Sequence, residues 1–323
     1  MPFCEADPWR LQYFENVSCP QHVRIPTEDA DAYVWYPAHS WIYDKLRIAR
    51  SQGIEAAPHG VPPTRFPVFS KPITNLKGMG VDSRPLRSSQ DYEAHYRPGH
   101  MWMALLEGEH VSTDAAVVDG EVRWWRHATG VPLTQGMFDY WVVHAAARPQ
   151  LEDYLGRWLL KHMRGYTGLM NFETIGGLII EAHMRFADQW PDLYGIGWAH
   201  AVVALYAGGD WRFADSARVD GFSVVLFGRH GHRYEHPPPA TIEAVLNVPN
   251  VSSLQNTYHE NREPAAHAMP PGGFRLGIIN CTDLASGFKA RRILAAAYPS
   301  VRLLLPKVSS FPAASRSAAP LAT

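Results

Sequence analysis

Apolar residues recur along this chain with two periods, and the changes between them mark out elements. From Pro149 to Met163, the residues Leu151, Tyr154, Leu155, Trp158 and Leu159 fall at i, i+3, i+4, i+7 and i+8. That spacing predicts a helix with one continuous apolar face. A second helix is predicted over Trp198–Tyr206. A third runs from Ser40 as N-cap through Trp41, Lys45 and Ile48 to about Ser51, with Gly53 as its stop. Shorter apolar runs predict strands at Ala32–Tyr36, Arg65–Pro72, Met101–Leu106, Phe222–Phe227 and Phe274–Asn280. The last feeds a helix from Thr282 or Asp283 to about Tyr298. Two hairpins are predicted, Val111–Trp125 turning at Asp119-Gly120 and Leu169–Met184 turning at Gly176-Gly177. Hairpins and helices without a regular βαβα alternation read as α+β. Residues 1–38 are otherwise irregular, punctuated by Pro8, Pro20, Pro26 and Pro37, and residues 306–323 have the composition of a disordered tail.

Composition narrows the function classes. The 323 residues are enough for about two domains, and 46% hydrophobic with 19% charged residues is globular composition. Lys plus Arg (30) balance Asp plus Glu (31), which argues against a nucleic-acid binder. No apolar run approaches the ~18 residues of a membrane span. The start, Met1 to Asp7, has no basic and apolar leader, so a cytoplasmic location is expected. Cys4, Cys19 and Cys281 contain no C-x-x-C pair and predict neither a disulfide framework nor a zinc site.

Candidate chemistry sits in three places. There is no P-loop, and Gly78-Met79-Gly80-Val81-Asp82-Ser83 is only part of a G-x-G-x-x-G. Its neighbour Lys71 ends an apolar strand before Pro72, where it could set a point charge against a polyphosphate. Glu173 and Glu181 lie on the two arms of one predicted hairpin. They are either a solvated strand face or a pair bridged by a hard cation such as Mg²⁺. The run Gly228–His236 holds three histidines, of which His230 and His232 would share a strand face; a polar loop or anion-binding edge is favoured there over zinc.

The order of these pieces from Trp41 to Arg185 resembles the ATP-grasp superfamily of ATP-dependent carboxylate–amine and carboxylate–thiol ligases. The series is Asp44-Lys45 in a helix ending at Gly53-Ile54, then Phe66-Pro67-Val68-Phe69-Ser70-Lys71-Pro72, then the glycine loop. It continues with Glu107-Gly108-Glu109-His110-Val111-Ser112-Thr113-Asp114, the amphipathic helix, and Gly165-Tyr166-Thr167-Gly168. It closes with Asn171-Phe172-Glu173 and Ile180-Glu181-Ala182-His183-Met184-Arg185.

The resemblance implies two α+β lobes clasping ATP: a small lobe over 41–98 and a large lobe over 99–205, with a C-terminal α/β appendage over 206–303 and a tail over 304–323. It leaves a short segment, 1–40, where the family has an N-terminal domain. Lys45 and Lys71 match the lysines that contact ATP phosphates. The 75–84 loop, with Gly78 and Gly80, matches the lid over them. Met103, Ala104, Leu105 and Leu106 match the strand that reads adenine, and Glu109 or His110 the ribose acid. Glu173 and Glu181 match the metal pair, with His183 where the family has Asn, which leaves Mg²⁺ or Mn²⁺ open. Arg185 matches an arginine at the reacting acyl and phosphoryl groups, so it and Lys71 are the catalytic candidates. The implied partners are a small carboxylic acid and an amine, with a homo-oligomer or partner chain in place of the missing domain. A catalytically reduced regulatory or scaffold subunit and an ATP-grasp kinase are the alternatives.

Strand parity sharpens the metal pair. If Gly176-Gly177 is a plain two-residue turn, Glu173 pairs with Ile180 and Glu181 faces away from it. One face for both requires an odd loop, most simply Gly176-Gly177-Leu178.

Overall fold

The computed structural model describes residues 7–298 and 301. Cys4 and the expected tail over 304–323 lie outside the described residues. The N-terminal segment holds the short helices α1 (Pro8–Leu11) and α2 (Asp29–Trp35). A strand was the expectation for Ala32–Tyr36, and a helix stands there instead. Only Asp29 and Ala32 are buried, one turn apart, while Tyr33 and Val34 are exposed. The aromatic and β-branched run therefore packs on neither face as a strand would.

The helix expected from Ser40 is split. A 3-10 turn covers Ser40–Tyr43, and α3 (Lys45–Ser51) starts after Asp44. The Asp44 carboxylate accepts from the Leu46 and Arg47 amides at 3.0 Å each, so Asp44 is the N-cap rather than Ser40. Lys45 is thereby the first residue of the helix.

The small lobe is a four-stranded sheet in the order β1-β4-β2-β3. Its strands are β1 (Ala56–Pro58), β2 (Val68–Pro72), β3 (Arg84–Leu86) and, after helix α4 (Ser89–Ala94), β4 (His100–Ala104). β4 pairs with both β1 and β2, so the small lobe runs on past residue 98 to Ala104. The expected strand over 101–106 stops at Ala104, and Leu105–Glu109 form the connection into the large lobe.

The large lobe is an eight-stranded sheet, ordered β11-β12-β10-β7-β6-β5-β8-β9. Its strands are β5 (His110–Val118), β6 (Glu121–Pro132), β7 (Phe138–His144), β8 (Gly168–Ile175), β9 (Leu178–His183), β10 (Gly221–Gly228), β11 (Val251–Asn256) and β12 (Phe274–Cys281). Every pairing in both sheets is antiparallel, as an α+β fold requires. β10 to β12 extend the same sheet, so the C-terminal α/β unit is continuous with the large lobe. The helices are α5 (Pro149–His162), α6 (Trp198–Gly208), α7 (Pro239–Leu246) and α8 (Leu284–Ala296).

Each face of the large sheet carries its own core. Leu155, Trp158 and Leu159 of α5 pack with Ile42, Ile48, Met170 and Phe172 on one side. Trp198 and Val202 of α6 pack with Phe14, Ile25, Trp124 and Trp141 on the other. The N-terminal segment thus contributes to both cores instead of forming a lobe. β7 carried no alternating signal because apolar residues lie on both of its faces, with Asp139 among them, buried against Arg291 of α8. The histidines at 228–236 lie in a loop, the alternative favoured over a strand face, since β10 ends at Gly228. His230 and His236 bond to the carbonyls of Pro270 and Tyr258.

Candidate functional site

The β8–β9 hairpin supplies the centre of the site. Its turn holds two residues, since Ile175 pairs with Leu178 and Thr174 with Ile179. Glu173 nevertheless lies directly opposite Glu181, because Ile180 is bulged out of the ladder. The odd residue needed for one shared face is therefore in the strand, not in a three-residue loop as expected. Asn171 is paired with His183 one step further along.

Two lysines reach this hairpin from other elements. Lys45, at the start of α3, donates to Glu181 Oε1 at 2.6 Å. Lys71, at the end of β2, donates to the carbonyl of the bulged Ile180 at 2.8 Å. Both side chains are buried. Burial pushes the Lys71 ammonium down to about 8, and Lys45 adds to the effect while Glu181 and Glu173 oppose it. Two lysines and two carboxylates, from four elements, thus meet in one corner between the lobes.

The remaining contacts orient the pair. His110 Nε2 lies 3.2 Å from Glu173 Oε2, and its ring packs edgewise or tilted on Phe138 and Trp141. Burial alone would raise the Glu173 carboxyl, but His110, His183 and Lys45 hold it below the ordinary range. Glu109 points away and is paired with Arg148. Of the two ribose candidates, His110 is the one that faces the carboxylates.

His183 Nδ1 contacts the Asp29 carboxylate at 3.0 Å, and its Nε2 lies 3.8 Å from Glu181. Asp29 also receives Arg185 through two contacts of 3.1 Å and the Tyr43 hydroxyl at 3.2 Å. Burial would raise Asp29, but Arg185 and His183 hold it well below the usual carboxylate range. Asp29 was absent from the sequence reading. It lies 154 positions from His183, and nothing local marks it.

The strand matched to adenine contact borders an apolar seam between the lobes. Met103 is buried with Met101, and Phe69, Ala104, Leu106, Leu178 and Ile180 pack around them. Ala104 donates its amide to Glu55 and Leu105 is half-buried in the connection. The β8–β9 turn closes on this connection. A Cβ at Gly176 would stand 2.3 Å from the Glu107 carbonyl, and one at Gly108 would stand 2.8 Å from Gly176 Cα. Both positions therefore need glycine.

In the 75–84 loop, Gly78, Met79 and Gly80 all have positive φ, at 66°, 63° and 62°. Asn75 ties the loop start by accepting from the Lys77 amide and donating to the Gly78 carbonyl. Beside this loop and Arg185 opens a cavity of about 170 Å³, closed by residues of the 7–29 segment and of 257–275.

No family model matches the chain, and no curated protein does. Solved structures do. L-amino acid ligase from Bacillus licheniformis superposes with a TM-score of 0.60 at 12% identity, covering 89% of this chain and 82% of that one. The chain has the ATP-grasp fold. N5-carboxyaminoimidazole ribonucleotide synthetase from Thermus thermophilus superposes on it with a TM-score of 0.57 at 16% identity, covering 92% and 85% of the two chains. The carboxyaminoimidazole ribonucleotide synthase of Aspergillus clavatus, solved with ATP, gives 0.55 at 14% identity, with 81% and 74% covered. Within the ATP-grasp arrangement, the lysines and the glutamate hairpin lie between the two lobes.

The carboxylate pair fits the metal that the fold family implies. Among the described residues, no group of three or more His, Cys, Asp or Glu is disposed to hold an ion by itself. Mg²⁺ does not require one, since it is commonly bound by one or two carboxylates together with substrate phosphates. Two cross-strand carboxylates on one face match that pattern. The His183 ring is held by Asp29 through Nδ1 and turns Nε2 toward Glu181, the orientation that a supporting carboxylate gives a ligating histidine.

Proposed function

We infer that the chain is an ATP-dependent ligase. A substrate carboxylate attacks the γ-phosphate, ADP leaves, and an amine or similar nucleophile takes the acyl group from the acyl phosphate, releasing inorganic phosphate. The observation that carries this reading is the meeting of Lys45 and Lys71 with Glu181 and the Ile180 carbonyl. A buried ammonium beside a carboxylate is a replaceable pair: Glu173 and Glu181 would hold a cation, and Lys45 would then be free for a phosphate oxygen. A bound Mg²⁺ would supply charge neutralisation at the phosphates. Lys71 and Lys45 would fix the phosphates, and Arg185, held in a two-point grip by Asp29, would face the acyl phosphate. Catalysis of this type is mostly positioning and electrostatics.

Calorimetry with a non-hydrolysable ATP analogue, joined to an ADP-release screen over amino acids and carboxylic acids with Mg²⁺ and with Mn²⁺, tests the reading. Lys71→Ala is expected to weaken nucleotide binding by about 1.5–3 kcal/mol, the scale of a charge-assisted contact. Lys45→Ala is expected to lose less, because Lys45 is paired with Glu181 and must leave that carboxylate to reach a phosphate. Wild-type affinity in both variants rejects the nucleotide site. Nucleotide binding without ADP release, over the whole screen, favours a regulatory subunit.

A further inference from the structure

We propose that the cavity beside Arg185 binds a small organic carboxylate, and that Arg275 is the residue that pairs with it. The inference deepens the ligase reading, since it names the class of molecule held next to Arg185.

Arg275 lies on β12 between Phe274 and Leu276, which belong to the apolar core under α8, while Arg275 itself lines the cavity. Its Nε is buried and has no hydrogen-bond partner, and no carboxylate pairs with its guanidinium among the described residues. Buried polar groups are nearly always partnered, and a buried charge is costly without an opposite one. Burial lowers the proton affinity of this guanidinium, and Asp188 offsets that only from beyond ion-pair distance.

The charges around the cavity leave a vacancy of one sign. Four acids line it, Asp7, Glu28, Asp29 and Asp188, against the five cations Arg10, Lys77, Arg185, Arg262 and Arg275. Asp7 contacts Arg10 and His259, Glu28 and Asp188 contact Arg10, and Asp29 contacts Arg185. Lys77, Arg262 and Arg275 line the same cavity with no acidic partner among the described residues. Of these three, only Arg275 has an orphaned buried nitrogen among the described residues, so the ligand's charge belongs there.

Size and shape select the ligand class. The cavity's 170 Å³ is more than ten times the roughly 10–15 Å³ that one water needs, so it admits a small molecule and not only an ion. The planar fork of a guanidinium matches a carboxylate with two parallel hydrogen bonds. The walls come largely from residues 7–29 and 257–275, outside the 41–185 series, and Arg185 and Asp188 bring them up to the proposed acyl phosphate side.

The test is titration calorimetry of the full chain, without nucleotide. The probes are short mono- and dicarboxylic acids and α-amino acids, each beside its neutral amide, with inorganic phosphate as a separate arm. At least one acid is expected to bind the wild type, and its amide to bind at least about tenfold more weakly. Arg275→Met should weaken the acid by about tenfold or more, and Arg275→Lys by less. Arg262→Ala, at the exposed rim, should stay within about threefold. Because the buried Nε has no partner to lose, the unfolding temperature of Arg275→Met should be no lower than wild type, which separates lost binding from lost folding. Unchanged acid binding in Arg275→Met, equal binding of acid and amide, binding of phosphate only, or no binding of any acid to the wild type each overturns the proposal. The two readings fail separately. Acid binding that depends on Arg275, without ADP release, removes the ligase, whereas acid-stimulated ADP release indifferent to Arg275 removes the carboxylate site.

Discussion

The β5–β6 and β8–β9 hairpins are built alike and are used differently. Each turns on two residues with positive φ, 53° and 79° at Asp119-Gly120, and 58° and 84° at Gly176-Gly177. Each then bulges one residue: Arg123 is skipped between Val122 and Trp124, and Ile180 between Ile179 and Glu181. In the first hairpin the bulged residue is a half-exposed arginine, paired with Glu121 at 2.9 Å on the surface. In the second, the bulged carbonyl receives Lys71 and the next carboxylate receives Lys45. The turn and the bulge are thus general devices of a twisted antiparallel pair. What makes one of them a candidate site is that α3 and the second sheet each bring a buried lysine to its free polar groups.

The strongest way to break this comparison is to remove each bulge. Deleting Ile180 keeps Glu173 opposite Glu181 but takes away the carbonyl that holds Lys71. ADP release in the presence of its acid substrate is expected to fall about a hundredfold or more, roughly 2.7 kcal/mol. Deleting Arg123 should change it by no more than about threefold, with circular dichroism confirming that both proteins fold. Equal losses would mean that the bulge serves only the hairpin.

A smaller effect separates the two hairpins by charge. Lys71 is charged in both folded and unfolded chains below about pH 8, so the penalty for burying it is fully present there. Between about 8 and its ordinary value of 10.5, the folded chain releases the proton first and the penalty fades. Wild type should therefore gain stability on Lys71→Met by a few kcal/mol across that window, at about 1.4 kcal/mol per tenfold change in proton affinity. Urea midpoints at a series of pH values check the slope. A gap that stays flat or widens the other way contradicts the buried, desolvated ammonium.

Turn glycines give a graded third comparison. Gly176→Ala would drive a Cβ to 2.3 Å from a backbone carbonyl and is expected to cost about 2–3 kcal/mol. Gly120→Ala meets the Met163 carbonyl at 2.9 Å and should cost less. Gly177→Ala meets nothing within 4 Å, which leaves only the positive φ, about 1 kcal/mol. Chemical denaturation of the three variants should return that order. A Gly177→Ala loss as large as that of Gly176→Ala would show that backbone conformation, not the packed connection, governs the β8–β9 turn.

Much of the fold was legible in the sequence because it is local. The apolar spacing from Leu151 to Leu159 is a helix wherever it is placed, and Asp119-Gly120 and Gly176-Gly177 are turns by backbone preference alone. The series from Asp44-Lys45 to Arg185 marked out the lysines, the carboxylates and His183 in order. The sequence misled where local preference competed with burial. Ala32–Tyr36 looked like a strand, but only one helical edge of it is covered. Ser40 looked like the cap, but Asp44 accepts two amides and sets where Lys45 begins. β7 was invisible because a buried acid, Asp139, breaks its apolar pattern and is matched only by Arg291 far along the chain.

What the tertiary structure alone decided is the pairing of distant groups. No spacing indicates that Asp29 grips Arg185 and His183, that the extra residue of the glutamate hairpin is Ile180 rather than Leu178, or that Arg275 Nε is left without a partner among the described residues. The reason is physical. Periodicity reports which face of one element is apolar, whereas the charge state and purpose of a buried polar group depend on what other elements bring within about 3 Å of it.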